Sequence, residues 1–428
     1  MRIRHLLLSA CALGLAGASA PLALAQGVPT PSAALDLPQV LQAARQNPDT
    51  QAARRAAEAA RADVRAANRA PAPVLSAGVS SIDLQRGTGA GSFWTDKRLD
   101  KSLGLDWTWE RGNKRGLRTE AAERAALAAQ ADTQDMLVQQ QIGALGAYYE
   151  LLAAQERLAT TQALAESART LSRSAEARLK AGDISAQDAA RTRIESERTL
   201  ADLTSAQLAQ QQAALALSRW IGQAPPDGGW RAQGPWPLMA AGSAPDVEAL
   251  IDARPDVRAA RERLAAAQAL VQGAQALNRT DPTLGASVDH YPDGTQTNRL
   301  LALRISIPLN SGARFEGEIG RALAQADLAQ DLLDKARLQG RAELQTLWQT
   351  WQAQSARLHS YEHTILPQAQ RVAEQAELAY RKGGLPLTDL LDARRTLRAT
   401  QLEALAVRAD HAKALGAWQL RSAPADTR

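Results

Sequence analysis

The sequence runs through one succession of patterns twice, and this duplication limits the possible folds more than any other feature. Each copy opens with a Pro-Asp pair, Pro48-Asp49 and Pro255-Asp256, at the start of a helical stretch. Two segments of alternating character follow, then a long helical stretch that ends at a glycine, and then a further helical stretch. A repeat of this size predicts two similar halves that build one molecule.

The alternating segments predict β-strands. In "SLGLDWTW" and "LLALRISIPL", apolar residues alternate with small or polar ones, as in a strand with one apolar face. We expect one hairpin in each copy, over about 73–109 and about 282–309, with strands of roughly ten residues. The residues expected on the apolar face are Leu103, Leu105, Trp107, Trp109, Leu301, Leu303, Ile305 and Ile307.

The helical stretches are long enough to form a rod. At 1.5 Å per residue the longer ones would extend for about 100 Å, and two shorter helices laid end to end would match one of them. Each copy therefore predicts a hairpin at one end and, at the other, a reversal of the chain at Gly182 or Gly383. The expected long and following helices occupy about 112–181, 184–220, 312–382 and 386–422.

One helix carries a seven-residue pattern that predicts packing against other helices. Within it, Pro367 predicts a kink, because proline lacks the N–H that an α-helix uses. The repeating residues are Leu344, Trp351, Leu358, Ile365, Val372 and Ala379.

The ends of the chain and the segment between the copies complete the predicted organisation. Basic residues, an apolar stretch and Ala23-Leu24-Ala25 predict a signal peptide that contains the only cysteine, Cys11. The segment between the copies is rich in proline and glycine and predicts irregular structure. Short helices are predicted at Leu35 to Gln46 and at Val247 to Ala253, as a belt around the waist of the rod. The predicted parts are 1–25 (signal peptide), 26–220 (first repeat), 221–253 (linker), 254–422 (second repeat) and 423–428 (tail).

Composition excludes several classes of function. Aromatic residues make up 4% of the chain, which suits long helices with narrow seams better than a large globular core. The formal net charge of +5 is small for this length, and the charges are scattered, so no nucleic-acid partner is predicted. Without a cysteine after the signal peptide, thiol chemistry is absent. We predict no cofactor.

Four strands with one apolar face are too few to form a closed barrel. A membrane-spanning sheet has to close, and closure takes at least roughly eight strands. Four strands per chain therefore predict an oligomer, and three chains would supply twelve. The alternative is a soluble hairpin packed on a helix.

The order of these elements resembles that of the TolC family of outer-membrane efflux channels. The most specific stretch is "ILPQAQRVAEQAELAYRKGGLPLTDLLDARRTL", and the resemblance covers essentially the whole predicted mature chain. It implies an α+β, mostly helical fold, a homotrimer, a twelve-stranded barrel among outer-membrane lipids and a helical barrel across the periplasm. It also implies a passive duct, not an enzyme, that docks to a periplasmic adaptor and an inner-membrane pump.

A shorter stretch suggests a subgroup. "ERGNKRGLR", from Glu110 to Arg118, resembles the E-x-G-G-K-R-x-x-R that opens the long helix in heavy-metal efflux channels of the CzcC type, with Asn113 in place of the second glycine. This resemblance implies metal cations such as cobalt, zinc and cadmium as cargo. Drug or organic-compound efflux is the alternative within the family. A periplasmic coiled-coil structural or adaptor protein without a pore is the alternative from another class.

The resemblance also implies functional positions at the glycine end. An acidic residue at Glu374 would help line the periplasmic constriction, with Glu377 beside it, and a ring of three carboxylates would favour cations. Solvated surface charges are the competing interpretation for both glutamates. The residues expected at an adaptor-docking tip are Arg178, Lys180, Gly182, Asp183, Arg381, Lys382, Gly383 and Gly384.

The stretch "HSYEH" contains the only candidate metal ligands. It matches the H-x-x-E-H of inverted zinc peptidases, and two histidines four residues apart can share a metal on a helix. Since it lies within the seven-residue pattern and no compact domain surrounds it, a chance match is expected. The alternatives are an adventitious or modulatory metal site at His359 and His363, and a zinc peptidase.

Overall fold

The computed structural model describes most of the chain after its N-terminal segment. The predicted signal peptide over 1–25 lies outside the described residues, as does the predicted tail except for its first residue. The described ranges are 33–94, 96–239, 246–293, 296–309 and 312–423.

Long α-helices dominate the structure. The longest, α3, has 68 residues, which corresponds to about 100 Å at 1.5 Å per residue. Among the helices that the structure describes, none combines the length and the apolar character needed to cross a membrane. The α-helices are α1 (Leu37–Ala44), α2 (Pro48–Ala67), α3 (Lys114–Ala181), α4 (Ala186–Ile221), α5 (Val247–Ala253), α6 (Pro255–Ala276), α7 (Glu316–Ser360), α8 (Leu366–Arg381) and α9 (Leu387–Ser422).

The strands form two separate sheets. The larger sheet is antiparallel with the order β2-β3-β5-β6, so the strands of the two repeats pair directly through β3 and β5. The smaller sheet pairs β1 with β4 in parallel. These three-residue strands were not predicted, because they are too short to show a period. The strands are β1 (Ala33–Leu35), β2 (Val74–Ser80), β3 (Asp100–Thr108), β4 (Trp230–Ala232), β5 (Thr283–Asp293) and β6 (Gln296–Ser306).

The long helices reverse direction at two glycine turns. Gly182 follows α3 with φ of 83°, and Gly383 lies between α8 and α9 with φ of 75°. This left-handed conformation is costly for residues that carry a Cβ, so glycine is the residue that allows the chain to turn here. After the first turn, the Ser185 side chain accepts a hydrogen bond from the Asp188 N–H and caps α4.

A π-helical turn interrupts the helix that contains the seven-residue pattern. Residues Tyr361–Ile365 form this turn between α7 and α8, and the Leu366 N–H donates to the carbonyl of Tyr361. Pro367 is the second residue of α8 and has no N–H to donate. The wider turn accommodates this missing hydrogen bond by adding one residue to the helix.

The extra residue shifts the buried face, so the continuous seven-residue seam predicted from the sequence is wrong beyond Leu358. Leu344, Trp351 and Leu358 are buried as predicted. Ile365 is 38% exposed and Val372 is 54% exposed. The buried residue in α8 is Ala373, one position later than the pattern predicts.

The largest apolar cores lie at the waist, where short elements pack on the long helices. In the first repeat, Val40 of α1 and Trp230 of β4 join a cluster with Tyr148 of α3 and Leu217 of α4. In the second repeat, α5, α6, α7 and α9 share a cluster around Trp351. The linker over 221–253 contributes two elements to these cores: α5, which matches the predicted short helix, and β4, which was not predicted.

A buried ion network joins helices of both repeats. Arg254, just before α6, donates to both carboxylate oxygens of Asp256 at 3.0 and 2.8 Å and to Glu343 of α7 at 2.6 Å. Arg421 of α9 donates to Glu343 at 2.8 Å and to Asp135 of α3 at 2.6 Å. Four helices therefore meet at one set of charges.

Candidate functional site

The four-stranded sheet carries one continuous apolar face. The register aligns Leu75, Leu105, Ala286 and Leu303 in one row across all four strands. Parallel rows on the same face contain Trp107, Leu284 and Ile305, and Ala77, Leu103, Val288 and Leu301. These side chains are not buried by the protomer, and Leu303 is 79% exposed. An apolar face of this size left in contact with the surroundings indicates a partner or a lipid phase.

The opposite face of the sheet is small and polar. The row next to Leu105 contains Ser76, Gly104, Ser287 and Ala302. The following row contains Val74, Asp106, Gly285 and Arg304. Since successive residues of a strand point to opposite faces, the two faces differ in chemistry across these rows. Nearer the hairpin loops the contrast is lost, because Lys101, His290 and Arg299 lie on the same face as Leu103.

Two of the residues predicted on the apolar face lie just beyond the strands. Trp109 follows the last residue of β3, although its N–H still donates to the Pro282 carbonyl at 2.9 Å. Ile307 follows the last residue of β6. Both side chains are exposed.

The edges of this sheet are unpaired within the described chain. Strands β2 and β6 are its outermost members, and each pairs with one neighbour only. Open edges present free N–H and C=O groups, which an apolar medium does not satisfy.

The two glycine turns lie together at the other end of the long helices, and we call residues 181–185 and 382–386 the tip. The Arg178 guanidinium donates to the Tyr380 hydroxyl at 2.9 Å and lies 5.7 Å from the centre of the tyrosine ring. This contact joins the two repeats, so Arg178 is already engaged inside the protomer. The other predicted tip residues are exposed: Lys180, Gly182, Asp183, Arg381, Lys382, Gly383 and Gly384.

The predicted gate residues line one cavity above the tip. Glu374 and Glu377 contribute to the wall of a cavity of about 210 Å³ between α3, α4, α8 and α9. Glu377 accepts a hydrogen bond from Arg394 at 3.2 Å, whereas Glu374 is exposed and has no ion pair within the described residues. The two carboxylates therefore differ in how much free negative charge they present.

Sequence reasoning missed an ion ladder beside this cavity. Arg395 of α9 pairs with Glu195 of α4 at 3.0 Å, and Arg398 pairs with Asp202 one turn further along. The partners lie about 200 residues apart in the sequence. Only the alignment of the two repeats places α4 beside α9, so no local pattern could have indicated these pairs.

The stretch Glu110 to Arg118 connects the large sheet to α3 through its side chains. Arg118 pairs with Glu110 at 2.8 Å and donates to the Ala67 carbonyl at the end of α2 at 2.9 Å. Lys114 pairs with Asp281 at 2.7 Å. These charged groups hold the helices to the sheet, so their role in this structure is to fix the junction.

The histidines of the HSYEH stretch lie side by side on the surface, with His359 in the last turn of α7 and His363 in the π-helical turn. The rings of His359 and His363 are 4.4 Å apart between centroids. Glu362 instead accepts a hydrogen bond from Arg408 of α9 at 2.9 Å. Among the described residues, no group of three or more potential ligands surrounds a common point. The arrangement does not support a zinc peptidase centre.

Together, an amphipathic sheet with open edges and a bundle of about 100 Å that ends in paired turns define a class of protein, the outer-membrane channel with a periplasmic extension. Comparison with known sequences agrees with this class. The family model for the outer membrane efflux protein matches residues 40–223 and 247–419. The chain therefore belongs to the outer membrane efflux protein family, whose members are transport proteins of the outer membrane and not enzymes.

Individual relatives are consistent with this family. The cobalt-zinc-cadmium resistance protein CzcC of Cupriavidus metallidurans is 30% identical over 302 residues, covering 70% of this chain and 71% of the relative. The pyoverdine export outer membrane protein OpmQ of Pseudomonas aeruginosa is 28% identical, covering 62% of this chain and 57% of the relative.

A solved structure shows the same fold. The crystal structure of CusC, described in terms of transmembrane channel formation, superposes with a TM-score of 0.75 at 18% identity. The match covers 91% of this chain and 92% of that chain. The TolC-like, α+β and mostly helical fold predicted from the sequence is therefore confirmed, and the family match confirms the outer membrane as the location. The alternative of a periplasmic coiled-coil protein without a pore does not hold.

Proposed function

We propose that three copies of this chain form one passive duct, the outer-membrane component of a tripartite efflux system. The observation that carries the proposal is the four-stranded sheet with an apolar face and two open edges. Closure takes at least about eight strands, so a single sheet of four leaves its edges unsatisfied in lipid. Three copies joined edge to edge supply twelve strands, with the apolar face towards lipid and the polar face towards the lumen.

The tip is proposed as the docking surface for a periplasmic adaptor, which in turn would connect to an inner-membrane pump. Lys180, Arg381 and Lys382 give the exposed tip a positive character, and Arg178 and Tyr380 hold the two turns in register. Cationic side chains at a rim contribute to steering and orientation of a partner.

Charge reversal tests the docking proposal. We expect Lys382→Glu to reduce the amount of adaptor that copurifies with the detergent-solubilised channel. Lys335→Glu is the matched control, because Lys335 is an exposed lysine of α7 far along the chain from the tip. Equal copurification with both variants would contradict a docking role for Lys382.

Metal cations such as cobalt, zinc and cadmium are the proposed cargo. The support is the similarity to CzcC, which extends over a larger share of both chains than the similarity to OpmQ. The Glu110 to Arg118 stretch adds support, because it resembles the motif of heavy-metal efflux channels of the CzcC type. Its charged side chains, however, hold the large sheet to α3 and are not free to bind cargo. Because one relative is named for pyoverdine export, organic compounds are the second candidate.

Tolerance of a deletion strain distinguishes the two cargo classes. We expect loss of the gene to lower the concentrations of cobalt, zinc and cadmium that permit growth, and the wild-type gene to restore them. An empty vector serves as the negative control in the same complementation. Unchanged metal tolerance together with increased sensitivity to organic toxins would favour the second candidate.

Glu374 is proposed to line the constriction of the duct and to favour cations. In a trimer, one exposed carboxylate per chain would form a ring of three negative charges. We expect Glu374→Gln to reduce cation selectivity in planar-bilayer conductance measurements. Glu377→Gln is the matched control and should have a smaller effect, because Arg394 already compensates that carboxylate. If Glu374→Gln and wild type show equal cation selectivity, the proposed ring of carboxylates is wrong.

A further inference from the structure

His359 and His363 are the one motif of the sequence that the proposed duct does not use. The chain has five histidines. His290 lies on β5 and His411 is buried in α9, whereas His359 and His363 are both exposed and adjacent. His5 lies outside the described residues. His359 lies just before the π-helical turn and His363 within it. Because such turns are frequent at functional sites, this pair of imidazoles raises the question of what it could bind.

The spacing of the two rings fits chelation of one ion. A metal binds imidazole nitrogen at about 2.0–2.1 Å, so two nitrogens on one metal lie roughly 3 Å apart. Because a ring nitrogen lies about 1 Å from its ring centre, chelation needs centroids within roughly 5 Å. The observed separation of 4.4 Å, with the ring planes tilted by 49°, meets this condition.

Both imidazoles are free to coordinate. In the part of the chain that the structure describes, neither ring makes a hydrogen bond or an ion pair with another side chain, and both side chains are exposed. Competing groups nearby are engaged elsewhere: Glu362 with Arg408 at 2.9 Å and the Tyr361 hydroxyl with Glu403 at 2.8 Å. The site therefore offers two imidazole nitrogen donors, and water would complete the coordination shell.

The donor set selects the class of cation. Imidazole suits copper, nickel, zinc and cobalt, whereas magnesium and calcium prefer oxygen ligands. Among the divalent first-row metals, Cu²⁺ binds a given nitrogen site most tightly. We propose that His359 and His363 form a binding site for one late first-row divalent cation per chain. The inference is independent of the proposed cargo, because it concerns binding by the isolated channel and not transport.

Copper binding to the purified protein tests the proposal. The full-length mature chain in detergent, stripped of metal with a chelator, would be titrated with Cu²⁺ by calorimetry and studied by electron paramagnetic resonance. We expect one high-affinity Cu²⁺ per chain with splitting from two nitrogens. Because the second imidazole acts at high effective concentration, His359→Gln or His363→Gln should each weaken binding roughly 100-fold.

Controls separate this site from adventitious binding and from misfolding. His290→Gln removes a histidine from another part of the chain and should leave Cu²⁺ binding unchanged. Since both ligands are exposed, the circular dichroism and elution volume of the single variants should match those of wild type. If the double variant His359→Gln/His363→Gln binds Cu²⁺ as wild type does, or wild type binds none, the site does not exist. Metal tolerance of cells tests the proposed cargo separately.

Discussion

Arg254 and Arg421 show how single residues hold the two repeats together. The Arg254 side chain is 2% exposed, so its charge has lost nearly all of its water. Burial of a charge is compensated only where partners and geometry are good. Asp256 and Glu343 provide them, and Glu343 is shared with Arg421. The network therefore aligns α6, α7 and α9 with α3 more specifically than apolar contacts would.

Removing one buried guanidinium should destabilise the protein strongly. We expect Arg254→Met to cost about 3 kcal/mol, the low end for breaking a buried ion pair, because both carboxylates keep some solvent. Circular dichroism would show a lower unfolding temperature in detergent. The matched control is Arg55→Met: that arginine is 78% exposed in its pair with Glu58, and its loss should cost less than about 1 kcal/mol. Similar shifts for both variants would contradict a structural role for the network.

The same network predicts a loss of stability in acid. Burial by itself would raise the pKa of the Asp256 and Glu343 carboxyls, but hydrogen bonds and charges of Arg254 and Arg421 outweigh it and lower both pKa values. A lowered folded-state pKa contributes stability above the unfolded-state pKa, near about 4, and this stability is lost as the pH falls through the folded-state value.

Unfolding temperatures measured against pH test this linkage. We expect little change between about pH 7 and 5 and a decline below about pH 4. Glu343→Gln should flatten part of that decline, since the variant has no carboxyl to protonate at this position. Glu58→Gln, at an exposed pair, should keep the wild-type profile. A wild-type profile for Glu343→Gln would show that the acid sensitivity arises elsewhere.

At the scale of elements, the strands were easier to predict than the long helix. A strand alternates with a period of two, so Leu103, Leu105 and Trp107 identify a face without knowledge of their neighbours. The helical seam was predicted correctly only as far as Leu358. Pro367 predicts a disturbance of the helix, but the sequence does not predict the π-helical residue added just before it. That residue moves the buried position to Ala373.

Neighbouring residues of β6 test the proposed orientation of the sheet. Leu303 lies on the apolar face and Ala302 on the polar face, and both are exposed in the protomer. If the apolar face contacts lipid, Leu303→Arg should cost about 2–4 kcal/mol near the midplane of the membrane. We expect that variant to be depleted from the outer-membrane fraction and to lose heat-modifiable migration on gels. Ala302→Arg should insert normally. If Ala302→Arg were depleted and Leu303→Arg inserted, the face of the sheet that contacts lipid would be the opposite one.

At the scale of the whole molecule, the sequence predicts the duplication and the rod but not how the halves are held. The repeat implies two hairpins and two glycine turns, because each copy contains both elements. It does not imply that β3 pairs with β5, that β1 pairs with β4, or that Arg421 reaches Asp135. These contacts join residues far apart in the chain, and no local period reports them. The tip contact between Arg178 and Tyr380 belongs to the same group.

Assembly follows from the one feature that a single chain leaves incomplete. Within one protomer, the helices pack against each other through the waist cores and the ion network. The large sheet is different, because β2 and β6 each have one edge without a neighbouring strand among the described residues. Pairing of β6 of one copy with β2 of the next would satisfy both edges, and repetition of the same contact closes a ring.

The mass of the detergent-solubilised particle tests this account most directly. Light scattering combined with size-exclusion chromatography, corrected for bound detergent, should give the mass of three mature chains. Cross-linking with a short reagent should yield a ladder that stops at the trimer. A particle with the mass of one chain, soluble without detergent, would contradict the proposed barrel and the duct that depends on it.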